Sequence, residues 1–162
     1  MSKNIAYGGI LLGINLILLL LVNIISINTL FLMGIASLLI SIIIIEFGPK
    51  SGIAFYVGTL VLSFIIMNNK IQWITYSLTF GIYGLVKYYI EKDIPIYIEY
   101  ILKLLFANIL IFILYFLFRL FVYIKFNIVT LTTLNFIFLI YDRMYTSFIR
   151  YYNKKLRKLM KI

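Results

Sequence analysis

Apolar stretches follow one another along almost the whole of this chain, each close to the roughly 20 residues a helix needs to cross the hydrocarbon layer of a bilayer. No other feature of the sequence constrains its fold as strongly. Of 162 residues, 64% are hydrophobic and 12% charged, where an ordinary soluble domain carries about 25% charged residues. A water-soluble core could not hide that much Ile, Leu, Phe and Tyr. The expected fold is all-α: a polytopic membrane protein, a compact bundle of about six transmembrane helices. Residues 1–162 then form a single integral membrane domain with a short basic tail at about 150–162. There is no 20–50-residue repeat, low-complexity linker or domain boundary.

The runs are separated by polar turns. The first, 5–27, follows Met-Ser-Lys-Asn; it is too long for a signal-peptide core and no small-residue cleavage site follows it. The second, 30–45, is closed by Glu46, and FGPKSG at 47–52 is the strongest turn signal in the chain. A shorter third run, 53–67, ends at Asn68-Asn69-Lys70, and the fourth covers 71–90. Glu91-Lys92-Asp93-Ile94-Pro95 connects it to the fifth, with Pro suited to the first turn of a helix and Glu99/Lys103 spaced as an i,i+4 pair. The segment 119–127 alternates basic and bulky apolar residues, as an interfacial stretch does, and the sixth run covers 128–149.

Charge sets the orientation. The net charge is +10, and Arg150, Lys154, Lys155, Arg157, Lys158 and Lys161 crowd the C-terminus. Directly after a hydrophobic helix, such residues meet anionic lipid head groups and anchor the end on the cytoplasmic side; no nucleic-acid role is expected. With six passes and both termini cytoplasmic in the cell membrane, Lys3, Lys50, Lys87, Lys92 and the tail lie inside, while Lys70, Arg119 and Lys125 lie outside. On this reading Lys87 is a topology signal. Abundant Ile, Asn, Lys and Tyr are the mark of an AT-rich bacterial genome.

Chemistry is sparse. Without His or Cys, the usual zinc, haem and thiol chemistries are excluded, and there is no G-x-S-x-G or H-E-x-x-H. The chain is expected not to be an enzyme and to need no cofactor or metal. The five carboxylates, Glu46, Glu91, Asp93, Glu99 and Asp142, fall in the cytoplasmic half, where Lys87, Lys92 and Lys103 neutralise helix ends. What stands out is a polar stripe in the fourth run: Gln72, Tyr76, Thr79, Tyr83 and Lys87 share a face at helical spacing. Lipid disfavours such a stripe unless it faces other helices or a wet cavity. Its outer half, with the lone Trp73, combines aromatic walls with hydrogen-bonding groups, as small-molecule pockets do. The candidate ligand-binding residues are Gln72, Trp73, Tyr76, Thr79, Arg119, Asn127 and Asn135, brought together if the last three spans pack. On the first span, Ala6, Gly9 and Gly13 form a small-residue face open to close approach by another helix.

Those small residues, with FGPKSG at 47–52, FGIYGLVKYY at 80–89 and IYDRMYT at 140–146 entering a basic terminus, carry a resemblance over nearly the whole chain. In size, span number and polar pattern the sequence resembles the substrate-binding S component of energy-coupling factor (ECF) vitamin transporters. The resemblance implies capture of a vitamin or micronutrient at the outer face by the last three spans and outer loops. It also implies docking of the first span on a transmembrane coupling subunit, and ATP hydrolysis by partner subunits. The family's Ala-x-x-x-Ala pattern is not literal here, since Ile10 stands in place of the second Ala, but Gly9 and Gly13 keep the face small. Metal-ion members need His near the N-terminus, so the implied ligand is an organic molecule. The chain is also similar in size and helix number to small rod-shape-determining membrane proteins, which implies the alternative of a scaffold with no ligand.

Overall fold

The computed structural model describes residues 2–121 and 127–157, and every regular element among them is helical. Helix α1, Ser2–Ile24, leads through a 3-10 turn, Ser26–Asn28, into α2, Thr29–Ile66. α2 is not one rod. Gly48 takes φ +82° and Pro49 follows it; glycine adopts that conformation without a Cβ penalty, and proline, having no N–H, opens the next helical stretch easily. The arms 29–47 and 49–66 fold back on each other. A Cβ on Gly52 would lie 2.5 Å from Cγ1 of Ile44, whereas eight residues of straight helix rise about 12 Å. The turn expected over 47–52 is thus a tight break at Gly48-Pro49, and the second arm begins earlier than the 53–67 run.

The next helical path is built from α3 (Lys70–Thr75), a π-helical stretch (Tyr76–Gly81) and α4 (Ile82–Ile90). The Asn69 side chain caps its start, accepting the Ile71 and Gln72 N–H groups at 3.0 and 3.4 Å, two of the donors a helix start leaves unpaired. Side-chain bonds to the backbone accompany the π stretch. Thr75 and Thr79 turn their hydroxyls back onto the Ile71 and Thr75 carbonyls at 2.8 and 2.5 Å, competing with the ordinary backbone ladder. Pro95 caps α5 (Ile96–Arg119), and Asn127 caps α6 (Ile128–Tyr151), which closes in a π turn at Tyr152–Leu156. The expected interfacial segment at 119–127 and the tail beyond Arg157 lie largely outside the described residues.

Neighbouring segments alternate in direction. Asn15 Nδ2 donates to the Ala36 carbonyl at 2.8 Å, and the Tyr7 and Phe47 rings meet edge-on, so α1 opposes the first arm of α2. Trp73 Nε1 donates to the Leu60 carbonyl at 3.2 Å and Tyr56 OH to that of Ser77 at 2.9 Å, so α3 and the π stretch oppose the second arm. Asn108 with Asn135 and Lys103 with Asp142 set α5 against α6. Tyr7, Phe47 and Tyr152 join one apolar cluster, which brings the two ends of the chain to the same end of the molecule.

Among the described residues, three helices are long and apolar enough to cross a membrane: Ile5–Ile24, Thr29–Ile66 (broken at Gly48) and Ile96–Arg119. Their outer faces carry large exposed apolar side chains such as Ile17, Val61, Ile65, Ile101 and Phe116. Water-soluble monomers rarely leave such surface uncovered, and a membrane accommodates it.

Candidate functional site

Where α3, the π stretch and α4 face α5 and α6, the helices separate enough to leave a cavity of about 350 Å³, inside the range typical of small-molecule sites. Thr75, Thr79 and Phe80 form one wall. Phe106, Leu110 and Phe118 of α5 form the second, and Thr130, Leu134 and Phe138 of α6 the third. Leu30, at the start of α2, reaches the rim. Leu30, Thr75, Phe118 and Thr130 all lie near the helix ends remote from Tyr7 and Tyr152, so the cavity occupies the end of the molecule opposite the termini. One wall contains the π stretch, a helix irregularity that recurs at functional sites.

The expected ligand-binding residues are only partly assembled here. Thr79 lines the cavity. Trp73 turns toward α2, donating to Leu60 and packing edge-on against Phe64 with 5.0 Å between ring centroids. Tyr76 is buried on the α1 side, its hydroxyl 3.3 Å from Oδ1 of Asn15. Asn135 pairs with Asn108 at 3.0 and 3.1 Å, and Asn127 is the cap of α6, accepting from the Thr130 N–H at 2.9 Å. Arg119 is exposed, beside the ring of Tyr115. Gln72 is half-buried near the start of α3 and is not part of the cavity lining. The π stretch explains the divergence of the stripe: it winds less per residue than α-helix, so Tyr76 and Thr79 end on different faces.

Below the cavity, on the side of the termini, lies a buried charge network absent from the expected site. Asp142 of α6 is 5% exposed, Lys87 of α4 1% and Lys103 of α5 2%. Asp142 Oδ1 accepts from Tyr83 OH at 2.6 Å and from Lys87 Nζ at 2.5 Å, and its Oδ2 faces Lys103 Nζ at 3.2 Å. Lys87 also donates to Thr146 Oγ1 at 2.8 Å and pairs with Glu91. Lys103 bonds Glu91 and Glu99, each at 2.5 Å. Two cations thus meet three carboxylates, Asp142 of α6, Glu99 of α5 and the more exposed Glu91 just beyond α4, every one of them hydrogen-bonded, the condition under which buried charge is tolerated. Lys87, expected as a topology signal, is a member of this network, whose hub is Asp142.

Tyr83 links the two features. Its ring borders the cavity while its hydroxyl is held by Asp142. A second, smaller cavity of about 240 Å³ opens on the other side of the network, against Lys87, Glu91 and Lys92. Ile44, Ile45, Tyr88 and Ile149 supply apolar lining beside those charged side chains.

The small-residue face of α1 is open. A Cβ on Gly9 or Gly13 would meet no atom within 4 Å, and Ala6 and Gly9 are exposed. Below it, Glu46 receives Tyr152 OH and Arg157 Nε, each at 3.1 Å, tying the start of the basic tail to α2.

No protein-family model, curated protein or solved structure matches the chain.

Proposed function

We propose that this chain is a six-pass integral membrane protein with cytoplasmic termini, and that it captures a small organic molecule in the cavity between its last three helical passes. In this reading it is the substrate-binding subunit of an ECF-type vitamin or micronutrient uptake system. A transmembrane coupling subunit and ATPase subunits would supply the energy. The observation that carries the reading is the position of the cavity: it lies among the last three passes, at the end opposite the termini, with a π-helical wall. The open face at Ala6, Gly9 and Gly13 supports it, because it leaves room for another helix on the first pass.

Purified protein in mild detergent, screened for thermal stabilisation by candidate vitamins and other small organic molecules, tests the capture. A ligand present at 100 times its Kd and binding only the folded state adds about 2.7 kcal/mol. The expected result is a saturable rise in melting temperature that Ala107→Trp, projecting into the cavity from α5, removes. If no compound stabilises the wild type, or if the rise survives Ala107→Trp, capture at this site is wrong. The first of those outcomes favours the ligand-free scaffold.

A further inference from the structure

Resting on the capture reading, we infer that the cavity takes an uncharged, ring-containing apolar molecule rather than a charged, water-soluble one.

The reason lies in the wall. Among the described lining residues none is charged. Most of the polar groups in the lining are already bonded within the chain. Thr75 and Thr79 hydroxyls bond to carbonyls of their own helix. Thr130 bonds to Asn127, Tyr83 to Asp142 and Tyr141 to Ser37. A charged ligand would leave its water shell and find no counter-charge and few open hydrogen-bond partners, a large desolvation cost with little return. Arg119, the one cation expected to greet an anionic group, is not part of the lining.

The aromatic content decides between apolar occupants. Phe80, Phe106, Phe118 and Phe138, with Tyr83 and Tyr141, surround the space. Ring faces and edges pair favourably with another ring in offset or edge-on geometry, an interaction that a saturated acyl chain does not offer. The π stretch helps to build this wall. It places Phe80 edge-on to Tyr141, with ring centroids 5.3 Å apart, while Tyr76, four residues earlier, points the other way.

A matched probe pair tests the inference in full-length protein held in lipid nanodiscs. Neutral 1-aminoanthracene and anionic 1-anthroate share a ring system and differ in charge. Binding is read from the directly excited probe emission, with partition into lipid subtracted using empty discs. The expected result is saturable binding of the neutral probe, at least tenfold tighter than that of the anionic one. Ala107→Trp and, independently, Leu110→Trp should each weaken it at least tenfold. Circular dichroism and gel filtration establish that each variant folds, and the comparison of the two probes on wild-type protein needs no variant. Tighter binding of the anionic probe, abolished by the filling variants, overturns the ligand class but leaves capture standing. Absence of variant-sensitive binding by either probe overturns capture at this site as well. Native mass spectrometry supplies the last arm. A retained phospholipid that the filling variants lose and the neutral probe cannot displace makes the occupant a lipid tail, which also overturns the inference.

Discussion

Asp142 holds lysines from two different helices and a tyrosine from one of them. Removing one partner from a buried ion pair leaves charge without compensation and costs about 3–5 kcal/mol. Asp142→Asn is therefore expected to lower stability by that amount. Glu99→Gln, at the edge of the same network, should cost less than about 1 kcal/mol. Unfolding in detergent, followed by circular dichroism, compares the two; equal losses would mean that Asp142 is not the hub. Gly84 makes a second prediction at this scale. A Cβ there would collide with Ile40 and the Tyr145 hydroxyl, so Gly84→Ala should destabilise by about 1–3 kcal/mol through overpacking. Residue roles were only partly legible in advance. Thr79, on the polar stripe, lines the cavity. Trp73, Tyr76, Asn127 and Asn135 meet other partners, because residue type alone does not say which neighbour a side chain faces.

At the scale of elements, the break in α2 and the open face of α1 can be tested directly. Gly48 sits in the left-handed region, where a side chain costs about 1–2 kcal/mol. Gly48→Ala should lose that much, whereas Gly8→Ala, inside α1 with open space around it, should gain about 0.5–1 kcal/mol. Gly9→Leu carries the docking expectation. It should leave the melting temperature of the isolated protein unchanged while abolishing co-purification with a partner subunit. A fall in melting temperature would mean that the face packs within the chain. Element boundaries followed the sequence closely where a cap or breaker marked them, at Gly48-Pro49, Asn69, Pro95 and Asn127. The π stretch was not legible, because hydrophobic periodicity assumes an unbroken α-helical winding.

For the molecule as a whole, the alternation of helix directions and the shared end of Tyr7 and Tyr152 lead to a topology prediction. The chain contains no cysteine, so single cysteines report without background. Lys50→Cys and Lys92→Cys should react with a membrane-impermeant maleimide only after the cells are opened, and Lys70→Cys should react in intact cells. Labelling of Lys50→Cys from outside would reverse or renumber the passes.

The helical class, the apolar surface suited to a membrane and the positions of most turns were determined by the sequence alone, since they depend on composition, run length and local breakers. Two things were decided only by tertiary structure: that α3, the π stretch and α4 face α5 and α6 across an apolar cavity, and that Lys87, Lys103 and Asp142 meet beneath it. Residues 55 positions apart, such as Lys87 and Asp142, become neighbours only through packing. The character of a cavity wall likewise depends on which polar groups have already been satisfied by partners the linear order does not reveal.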